Sequence, residues 1–233
     1  MRVNIVIPVY KKPEQLIKCQ EYLDKQDFKD FRVIIEDNNE VNRGFTKAIN
    51  DGIKKRDADC EYVICLNQDC YLFSNAITEM VKFMDEKCNS FIGGIKQLDS
   101  NDNDKIIHGG CTSCYPQGMH IMGLVSKNHC NENKSMQWIN GACMIVRTSM
   151  LEDVGLMDSR YFLIGSDSDW CYTARQRGFN VDYIANAVCI HEQGVSKSKP
   201  DDKTSFRMAM DMLYFRDKWI TDGEFKELSM EIF

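Results

Sequence analysis

Short apolar runs of strand length alternate with stretches of helical spacing over residues 3–95, and this alternation limits the possible folds more than any other feature. The runs are Val3–Pro8, Phe31–Ile35, Tyr62–Leu66 and Phe91–Ile95. Between them, apolar residues recur three and four positions apart, as in Leu16, Cys19 and Leu23. Such alternation is typical of right-handed βαβ units, and it predicts an α/β fold with a mostly parallel central sheet flanked by helices. Ligands of such sheets bind at the carboxyl ends of the strands.

The second half of the chain is less regular but contains no linker. The expected elements are a strand at Trp138–Val146, a helix at Ser166–Arg177 followed by Gly178, short strands at Val181–Ile184 and Ala187–Ile190, and a closing helix at Lys203–Trp219. Earlier in the chain, Pro13 and Ser74 are placed to begin helices. We expect one domain, residues 1–233, with an N-terminal half of about 1–98 and a C-terminal half of about 99–233.

Size and charge exclude several classes of protein. A chain of 233 residues, 43% hydrophobic and 27% charged, has the composition of an ordinary globular domain. Its net charge of −6 argues against a broad nucleic-acid surface. No apolar run approaches the ~20 residues that a membrane span needs. The first residues, Met1–Tyr10, are expected to form a buried strand rather than a signal peptide.

The chain has 11 cysteines, and several lie inside apolar runs, as Cys65 and Cys143 do. Because no secretory signal is apparent, we expect most of them to be reduced and buried, and the chain to be cytoplasmic. A separate cluster could coordinate zinc through His108, Cys111, Cys114 and His120. Its spacing is short for the familiar zinc-finger pattern and no second Cys-x2-Cys pair supports it, so a zinc-stabilised interaction module is kept only as an alternative.

Acidic residues stand at the ends of two predicted strands. Asp37 could accept a hydrogen bond from the imide N–H of a pyrimidine base, or it could simply form an Asx-turn. Asp69 could bind a divalent cation that bridges two phosphates, or it could be an ordinary turn residue. His191 follows another apolar run, and it would be a metal ligand only if it converged with Asp69.

The segment Ser166–Trp170 allows two interpretations. Ser166 and Asp169 are three positions apart, which is close to a capping box, and acids suit the first turn of a helix. Alternatively, one carboxylate is a general base that removes a proton from a hydroxyl. The residues alone leave both interpretations open.

Taken together, several motifs in order resemble the family-2 glycosyltransferases, and within them the rhamnosyltransferase-like branch. The matching stretches are VNIVIPVY (Val3–Tyr10), VIIEDN (Val33–Asn38), NRGFTKAINDGI (Asn42–Ile53), YVICLNQD (Tyr62–Asp69), IIHGG (Ile106–Gly110), the long block Trp138–Ser196 and YFRDKW (Tyr214–Trp219). The last part of the long block, HEQGVS, is similar to the family's His-x-x-Gly-x-Ser motif.

The resemblance implies a GT-A fold, the Rossmann-like fold of nucleotide-diphospho-sugar transferases, with the nucleotide bound by the N-terminal half. The residues it assigns to the donor nucleotide are Pro8, Val9, Tyr10, Asp37, Asn42, Gly44, Asn67 and Asp69. It assigns Mn²⁺ or Mg²⁺ to Asp69 and His191, and the catalytic base to Asp167. On the acceptor side, in contact with the acceptor or supporting residues that are, it places Trp138, Gly141, Asp169 and Trp170.

The function that follows from the resemblance is metal-dependent, inverting transfer of a sugar from a UDP- or dTDP-linked donor to a hydroxyl of a glycan or other acceptor. The acceptor could be membrane-linked, with the enzyme peripheral to the membrane. Because Asp167 would stand at a helix N-terminus, we expect a low pKa for its carboxyl. Acceptor contacts are expected from Cys111–Asn133, and the loop Gly194–Lys203, with Lys197 and Lys199, is expected to close over the diphosphate.

Two departures from the family pattern support an alternative. Ser166 stands where the family often has Glu, and only the four residues Asn38–Val41 separate Asp37 from Asn42, where relatives usually have a helix and a strand. The alternative function is therefore a catalytically inactive nucleotide-sugar-binding protein on the same fold.

Overall fold

The computed structural model describes residues 1–111, 125–193 and 200–221, and these residues form one twisted sheet with helices on both faces. The first half contains β1 (Val3–Val9), α1 (Pro13–Asp24), β2 (Phe31–Asp37), α2 (Phe45–Lys54), β3 (Tyr62–Leu66), β4 (Cys70–Leu72), α3 (Ala76–Glu86) and β5 (Ser90–Asp99). The second half contains β6 (Lys105–His108), β7 (Val125–Ser126), β8 (Lys134–Ser135), β9 (Cys143–Arg147), a 3₁₀ turn (Thr148–Met150), α4 (Leu151–Val154), α5 (Ser166–Gln176), β10 (Asn180–His191), α6 (Asp202–Phe215) and a π-helical end (Arg216–Thr221).

The main path of the sheet has the strand order β2-β1-β3-β9-β5-β10-β4. Strands β1, β2, β3, β5 and β10 run in one direction, whereas β9 and β4 run in the other. The mostly parallel α/β sheet expected from the sequence is therefore confirmed. One sheet contains strands from both halves of the chain, and a division near residue 98 stays a prediction. The carboxyl ends of β1, β2, β3, β5 and β10 share one edge of this sheet.

Each face of the sheet carries its own apolar core, because successive strand residues point to opposite faces. In β1, Val6 contributes to the core that α2, α5 and α6 cover, while Ile5 and Ile7 contribute to the core under α1 and α3. Both cores are built from the periodic apolar positions of the sequence. None of the described helices is long and apolar enough to cross a membrane.

Several boundaries differ from those expected. The three-residue strand β4 lies at the sheet edge and is too short to show a period. The two strands predicted at Val181–Ile184 and Ala187–Ile190 form the single strand β10, whose register against β5 shifts between Ile184 and Val188. Strand β9 begins only at Cys143, whereas Trp138 makes one isolated bridge to Cys111.

Two helix starts also differ, because neither predicted serine cap forms. Asn75, not Ser74, occupies the N-cap position of α3, and it makes no side-chain capping bond. Gly165 precedes α5 with φ of 80°, and Ser166 is already the first helical residue. The capping-box interpretation of Ser166 is therefore wrong. Pro13 does open α1, and Gly178, with φ of 82°, follows α5.

The ten cysteines that the structure describes are all free thiols, most of them buried. Burial raises the pKa of the Cys65 thiol to about 12, so this thiol stays protonated and unreactive at neutral pH. We predict that a thiol titration of the denatured, non-reduced protein approaches the full 11 cysteines of the chain. In the folded protein, the thiol of exposed Cys88 should be the first to react with the reagent. A denatured count near one or three would instead show an extensive disulfide framework.

Candidate active site

Gln68 joins the ends of β1 and β3 at the carboxyl edge of the sheet. Its Oε1 accepts the backbone N–H of Tyr10 at 2.9 Å, and its Nε2 donates to the carbonyl of Lys11 at 2.9 Å. Lys11 and Lys12 both have left-handed φ angles, 56° and 49°, so the chain turns sharply just after Tyr10. The backbone of Pro8–Tyr10, expected to hold the base, is thus shaped by a residue that the sequence analysis passed over.

Asp37 lies exposed at the end of β2 and forms an Asx-turn. Its Oδ1 accepts the backbone N–H and the side-chain amide of Asn39, at 2.8 and 2.7 Å. This is the turn geometry that the sequence allowed as an alternative. The Asp37 carboxylate also stands at the carboxyl edge of the sheet. Its role in binding the base stays a prediction.

The Asn-x-Gly-Phe motif connects the donor side of the sheet to the segment before α5. Asn42 Oδ1 accepts the N–H of Gly44 at 3.0 Å, and Phe45 N–H donates to the carbonyl of Phe162 at 2.8 Å. Gly44 has φ of 88°, and a Cβ atom there would collide with that same carbonyl oxygen. The motif therefore needs glycine for both its backbone angle and this close approach.

Asp69 and His191 converge, as a metal site requires. Residues Cys70 and His191 are directly opposed in the antiparallel pair β4–β10, and this pairing brings His191 Nε2 to 3.5 Å from Asp69 Oδ1. Both residues are 7% exposed. The other ring nitrogen, Nδ1, lies 3.0 Å from Oε1 of buried Gln97. Among the described residues, Asp69, Cys70 and His191 form a group with ligand atoms all within 4.8 Å of one another.

Asp167 is held at the start of α5 by backbone donors. Its Oδ2 accepts the N–H of Gly141 at 2.7 Å, and its Oδ1 accepts the N–H of Ser168 at 2.8 Å. Removal from water raises the pKa of this carboxyl, and the two backbone hydrogen bonds only partly oppose that rise. The expectation of a low pKa for Asp167 is therefore wrong, because desolvation outweighs the hydrogen bonds that favour the carboxylate.

The segment of residues 140–142 brings the base and the end of β3 together. Gly141 donates to Asp167, while the carbonyl of the next residue, Ala142, accepts the N–H of Asn67 at 2.8 Å. Asn140 closes the segment on itself, since its Oδ1 accepts the N–H of Ala142 at 2.8 Å. The predicted base and the turn that carries Asp69 thus share one short hydrogen-bonded support.

Asp169 and Trp170 point into the core of the protein. Asp169 Oδ1 accepts from Lys218 Nζ, Trp219 Nε1 and the Tyr161 hydroxyl, at 2.8, 2.7 and 3.1 Å. Burial raises the pKa of this carboxyl, and the Lys218 ammonium opposes the rise. Trp170 donates to the carbonyl of Gly155 at 2.9 Å. Both residues are at most 2% exposed and support α5, and a role toward an acceptor stays a prediction.

The remaining acceptor-side predictions also fall on buried residues. Trp138 is 2% exposed, and its ring lies 6.3 Å from that of His108. Gly141 is buried, and a Cβ atom there would lie 3.2 Å from the Asp167 side chain. Trp138 and Gly141 therefore shape the surroundings of Asp167, while contact with an acceptor stays a prediction.

The possible zinc cluster is only half within the described residues. His108 Nε2 accepts the N–H of Asn140 at 3.3 Å, and Cys111 is buried. Cys114 and His120 lie outside the described residues, as do residues 194–199 of the expected closing loop, including Lys197 and Lys199. Most of the expected acceptor loop, residues 112–124, lies outside them too.

A further residue that the sequence analysis missed, Asp211, fixes the segment leading into α5. Its buried carboxylate accepts the backbone N–H groups of Phe162, Leu163 and Ile164, at 2.7, 2.8 and 2.9 Å. Asp211 lies on α6, far along the chain from its partners, and those partners are backbone groups. Neither a motif nor a periodic pattern in the sequence can reveal such a contact.

Comparison with known proteins identifies the family of the chain. Residues 1–210 match the family model described as glycosyltransferase like family 2. Curated relatives include a dTDP-rhamnosyl transferase, RfbF, of Shigella flexneri, 28% identical over 66% of this chain and 50% of its own length. Another is the poly-beta-1,6-N-acetyl-D-glucosamine synthase of Staphylococcus epidermidis, 28% identical over 64% of this chain and 34% of its own. The hexosyltransferase Agl10 of low-salt glycan biosynthesis in Haloferax volcanii is 22% identical over 48% of this chain and 34% of its own.

Solved structures share the fold at low sequence identity. S. aureus TarS superposes with a TM-score of 0.61 and 14% identity over 96% of this chain and 45% of its own. GalNAc-T7, solved with UDP, GalNAc and Mn²⁺, has a TM-score of 0.62 and 14% identity over 82% of this chain and 43% of its own. The chain thus spans a third to a half of the length of these curated relatives. The fold is the GT-A fold, and with its family match over residues 1–210 the chain belongs to the glycosyltransferase like family 2.

Proposed function

We propose that the protein transfers a sugar from a nucleoside diphosphate sugar to a hydroxyl group, with inversion at the anomeric carbon. The observation that carries the proposal is the 140–142 segment, which ties Asp167 to the turn containing Asn67 and Asp69 through two hydrogen bonds. A base and a cation ligand on one short support are what a single displacement needs, because both substrates must be held at once. The curated relatives, named as sugar transferases and a polysaccharide synthase, support this reading and a role in polysaccharide biosynthesis.

The donor would lie along the carboxyl edge of β1, β2 and β3. The backbone of Pro8–Tyr10 and the Asp37 carboxylate would hold the base, with Asn42, Gly44 and Asn67 lining the rest of the nucleotide site. UDP and dTDP are the proposed carriers, since an imide N–H of uracil or thymine can donate to Asp37. The names of the similar proteins, one a dTDP-rhamnosyl transferase and one solved with UDP, agree with both carriers.

A divalent cation fits between Asp69 and His191. Their facing oxygen and nitrogen atoms are 3.5 Å apart and buried, and carboxylate with imidazole is a common donor set for Mn²⁺. Mn²⁺ or Mg²⁺ would offset the negative charge that develops on the leaving diphosphate. The neighbour solved with UDP and Mn²⁺ is consistent with such a cation.

Asp167 would act as the general base. Its carboxylate would take the proton of the acceptor hydroxyl as the hydroxyl oxygen bonds to the anomeric carbon, while the bond from that carbon to the diphosphate breaks on the opposite face. A raised pKa makes the carboxylate a better proton acceptor than an ordinary Asp. We place the chain in the cytoplasm, with a glycan or other hydroxyl acceptor and no nucleic-acid partner.

We predict that Asp69→Ala abolishes metal-dependent donor binding. The variant removes one of two side chains that face the cation, so nucleoside diphosphate affinity measured with Mn²⁺ should fall to the level seen with chelator. Asp59→Ala is the control, since Asp59 is 82% exposed and lies at the opposite end of β3. Equal wild-type affinity with Mn²⁺ and with chelator would show a metal-independent site and contradict the assignment.

We predict that turnover falls at low pH, and that this acid limb lies at a pH above the ordinary Asp pKa of about 3.9. The base works only as the carboxylate, and desolvation raises its pKa, so turnover should fall as the pH drops through that raised pKa. The measurement is kcat against pH at saturating donor and acceptor. A limb at or below the ordinary Asp value would contradict a raised pKa for the Asp167 carboxyl.

One local observation adds to the two sequence departures that favour the alternative, an inactive nucleotide-sugar-binding protein. Ser166 replaces the acid often found there, and its buried Oγ has no hydrogen-bond partner. Metal-dependent release of nucleoside diphosphate from a sugar donor, without acceptor, separates the two functions: an enzyme hydrolyses the donor slowly, and a binding protein does not. A thermal-shift screen of nucleotide sugars with Mn²⁺ would identify the donor in either case, because ligands stabilise the fold by mass action.

A further inference from the structure

Gln97 is a buried polar side chain beside the candidate cation site, and no motif in the sequence includes it. It is completely buried on β5, which lies between β10 and β6 at the carboxyl edge of the sheet. Its Oε1 lies 3.0 Å from Nδ1 of His191. Its Nε2 has no hydrogen-bond partner within the part of the chain that the structure describes. A buried amide that is only half satisfied is costly, so its one contact, to the imidazole, calls for an explanation.

The register of β5 and β10 places the amide next to the imidazole. In this parallel pair, His191 is opposite Asp99, two residues after Gln97. Residues two apart in a strand point to the same face of the sheet, so Gln97 and His191 project side by side. The contact therefore follows from strand pairing, and the amide keeps a fixed place relative to the ring.

The chemistry of this contact assigns the proton of the imidazole. An amide oxygen can only accept a hydrogen bond, and a neutral imidazole carries one proton. The 3.0 Å contact with Gln97 thus requires that proton on Nδ1 of His191. Nε2 lies 3.5 Å from Oδ1 of Asp69, which is longer than the usual N–H···O distance of about 2.7–3.2 Å. Both distances therefore favour a lone pair, not a proton, on Nε2.

We propose that Gln97 is the positioning residue that fixes His191 as its Nδ1–H tautomer, so that Nε2 presents its lone pair to the cation of the donor. With the opposite tautomer, an N–H would point at Asp69, and Nε2 could not bind a cation. Ligating histidines usually donate their second N–H to an acceptor, and an amide oxygen supplies that acceptor without adding charge. The assignment of the tautomer stands on the geometry alone, and only its consequence for the cation rests on the proposed function.

Nuclear magnetic resonance of the metal-free full chain measures the tautomer directly. The chain has four histidines, so selective ¹⁵N labelling of histidine gives few signals, and His191→Gln identifies those of residue 191. Long-range nitrogen–proton correlation spectra distinguish the Nδ1–H and Nε2–H forms at a pH where free histidine is neutral. We expect the Nδ1–H form in the wild type. In Gln97→Met we expect mainly the Nε2–H form, which an imidazole without such an acceptor prefers.

Two further variants separate the hydrogen bond from general effects on packing. Gln97→Glu keeps an acceptor oxygen in place, so it should retain the proton on Nδ1. Gln137→Met is the matched control, since Gln137 is 3% exposed and its Oε1 accepts no hydrogen bond within the described residues. It should leave the His191 signals unchanged. Circular dichroism and thermal unfolding establish that all variants fold.

The consequence for the cation is measured by calorimetry of Mn²⁺ binding in the presence of nucleoside diphosphate. Loss of a partner that orients a metal ligand typically costs about 10–100-fold in metal affinity, and we expect a loss of that size in Gln97→Met. Gln97→Glu should recover most of the affinity, and Gln137→Met should bind Mn²⁺ as the wild type does.

An Nε2–H form in the wild type, or an Nδ1–H form that persists in Gln97→Met, would overturn the inference. Wild-type Mn²⁺ affinity in Gln97→Met would equally overturn the positioning role. Failure of the proposed function has a different signature: nucleotide binding by the wild type would not respond to Mn²⁺, while the tautomer would still depend on Gln97. That result would refute the cation and leave the assignment of the imidazole standing.

Discussion

Asp167→Asn is expected to lower kcat by about 10²–10⁴-fold, the usual contribution of a general base, and to leave donor affinity unchanged. Asparagine keeps the shape of the side chain, and its Oδ1 can accept one of the two backbone N–H groups that the carboxylate binds, while the other, from Gly141 or Ser168, loses its acceptor. The amide cannot take up the acceptor proton, and the loss should therefore appear in turnover rather than in binding. Steady-state kinetics and nucleotide calorimetry on the same preparation measure both quantities.

The control for this variant is Asp153→Asn. Asp153 is an exposed acid in the first turn of the neighbouring helix α4, so the substitution makes the same change of charge without touching the site. Its kcat should match that of the wild type. A residual kcat of more than about a tenth in Asp167→Asn would leave Asp167 with a structural role only.

Asp211→Ala is expected to lower the free energy of unfolding by about 3 kcal/mol or more. The substitution leaves three backbone N–H groups without their acceptor, and a hydrogen bond to a charged group contributes about 1.5–3 kcal/mol. The affected segment, residues 162–164, also provides the carbonyl that accepts from Phe45. Urea unfolding followed by circular dichroism gives the value directly.

Asp202→Ala on the same helix is the matched control. Asp202 is exposed in the first turn of α6, where a carboxylate contributes at most about 1 kcal/mol through the helix dipole. If Asp211→Ala cost no more than this control, its three hydrogen bonds would not contribute net stability, and the segment before α5 would be held by packing alone.

The parts of the fold that the sequence predicts well are those with a strong local period. Strand β3 was expected at Tyr62–Leu66 and has those bounds, and Pro13 begins α1 as its fixed φ angle suggests. Local patterns fail where tertiary contacts decide. The three residues of β4 form a strand only because they pair with β10. Strand β10 continues through a bulge, whereas the sequence pattern predicts two separate strands there.

The same distinction between local pattern and tertiary contact applies to the candidate site. Asp69, Asp167 and His191 could be found because each belongs to a motif, and the structure brings Asp69 and His191 together. Gln68 and Asp211 could not be found, because they bind backbone groups that every residue possesses. The position of a residue in a motif also does not show where its side chain points. Asp167 lies beside the 140–142 segment, whereas Asp169, two residues later in the same helix, faces the core.

The short strand β4 has a consequence for how the molecule assembles. Asp69 and His191 are widely separated in the chain, and they meet only after β10 has crossed the sheet and β4 has paired with its far side. Contacts of such long range carry a large loop-closure cost and tend to form late in folding. An ion bound by both residues would stabilise the pairing of the strand that joins the sheet last. Metal occupancy would then report completion of the sheet, and a chain halted before β10 would hold the nucleotide motifs but no cation.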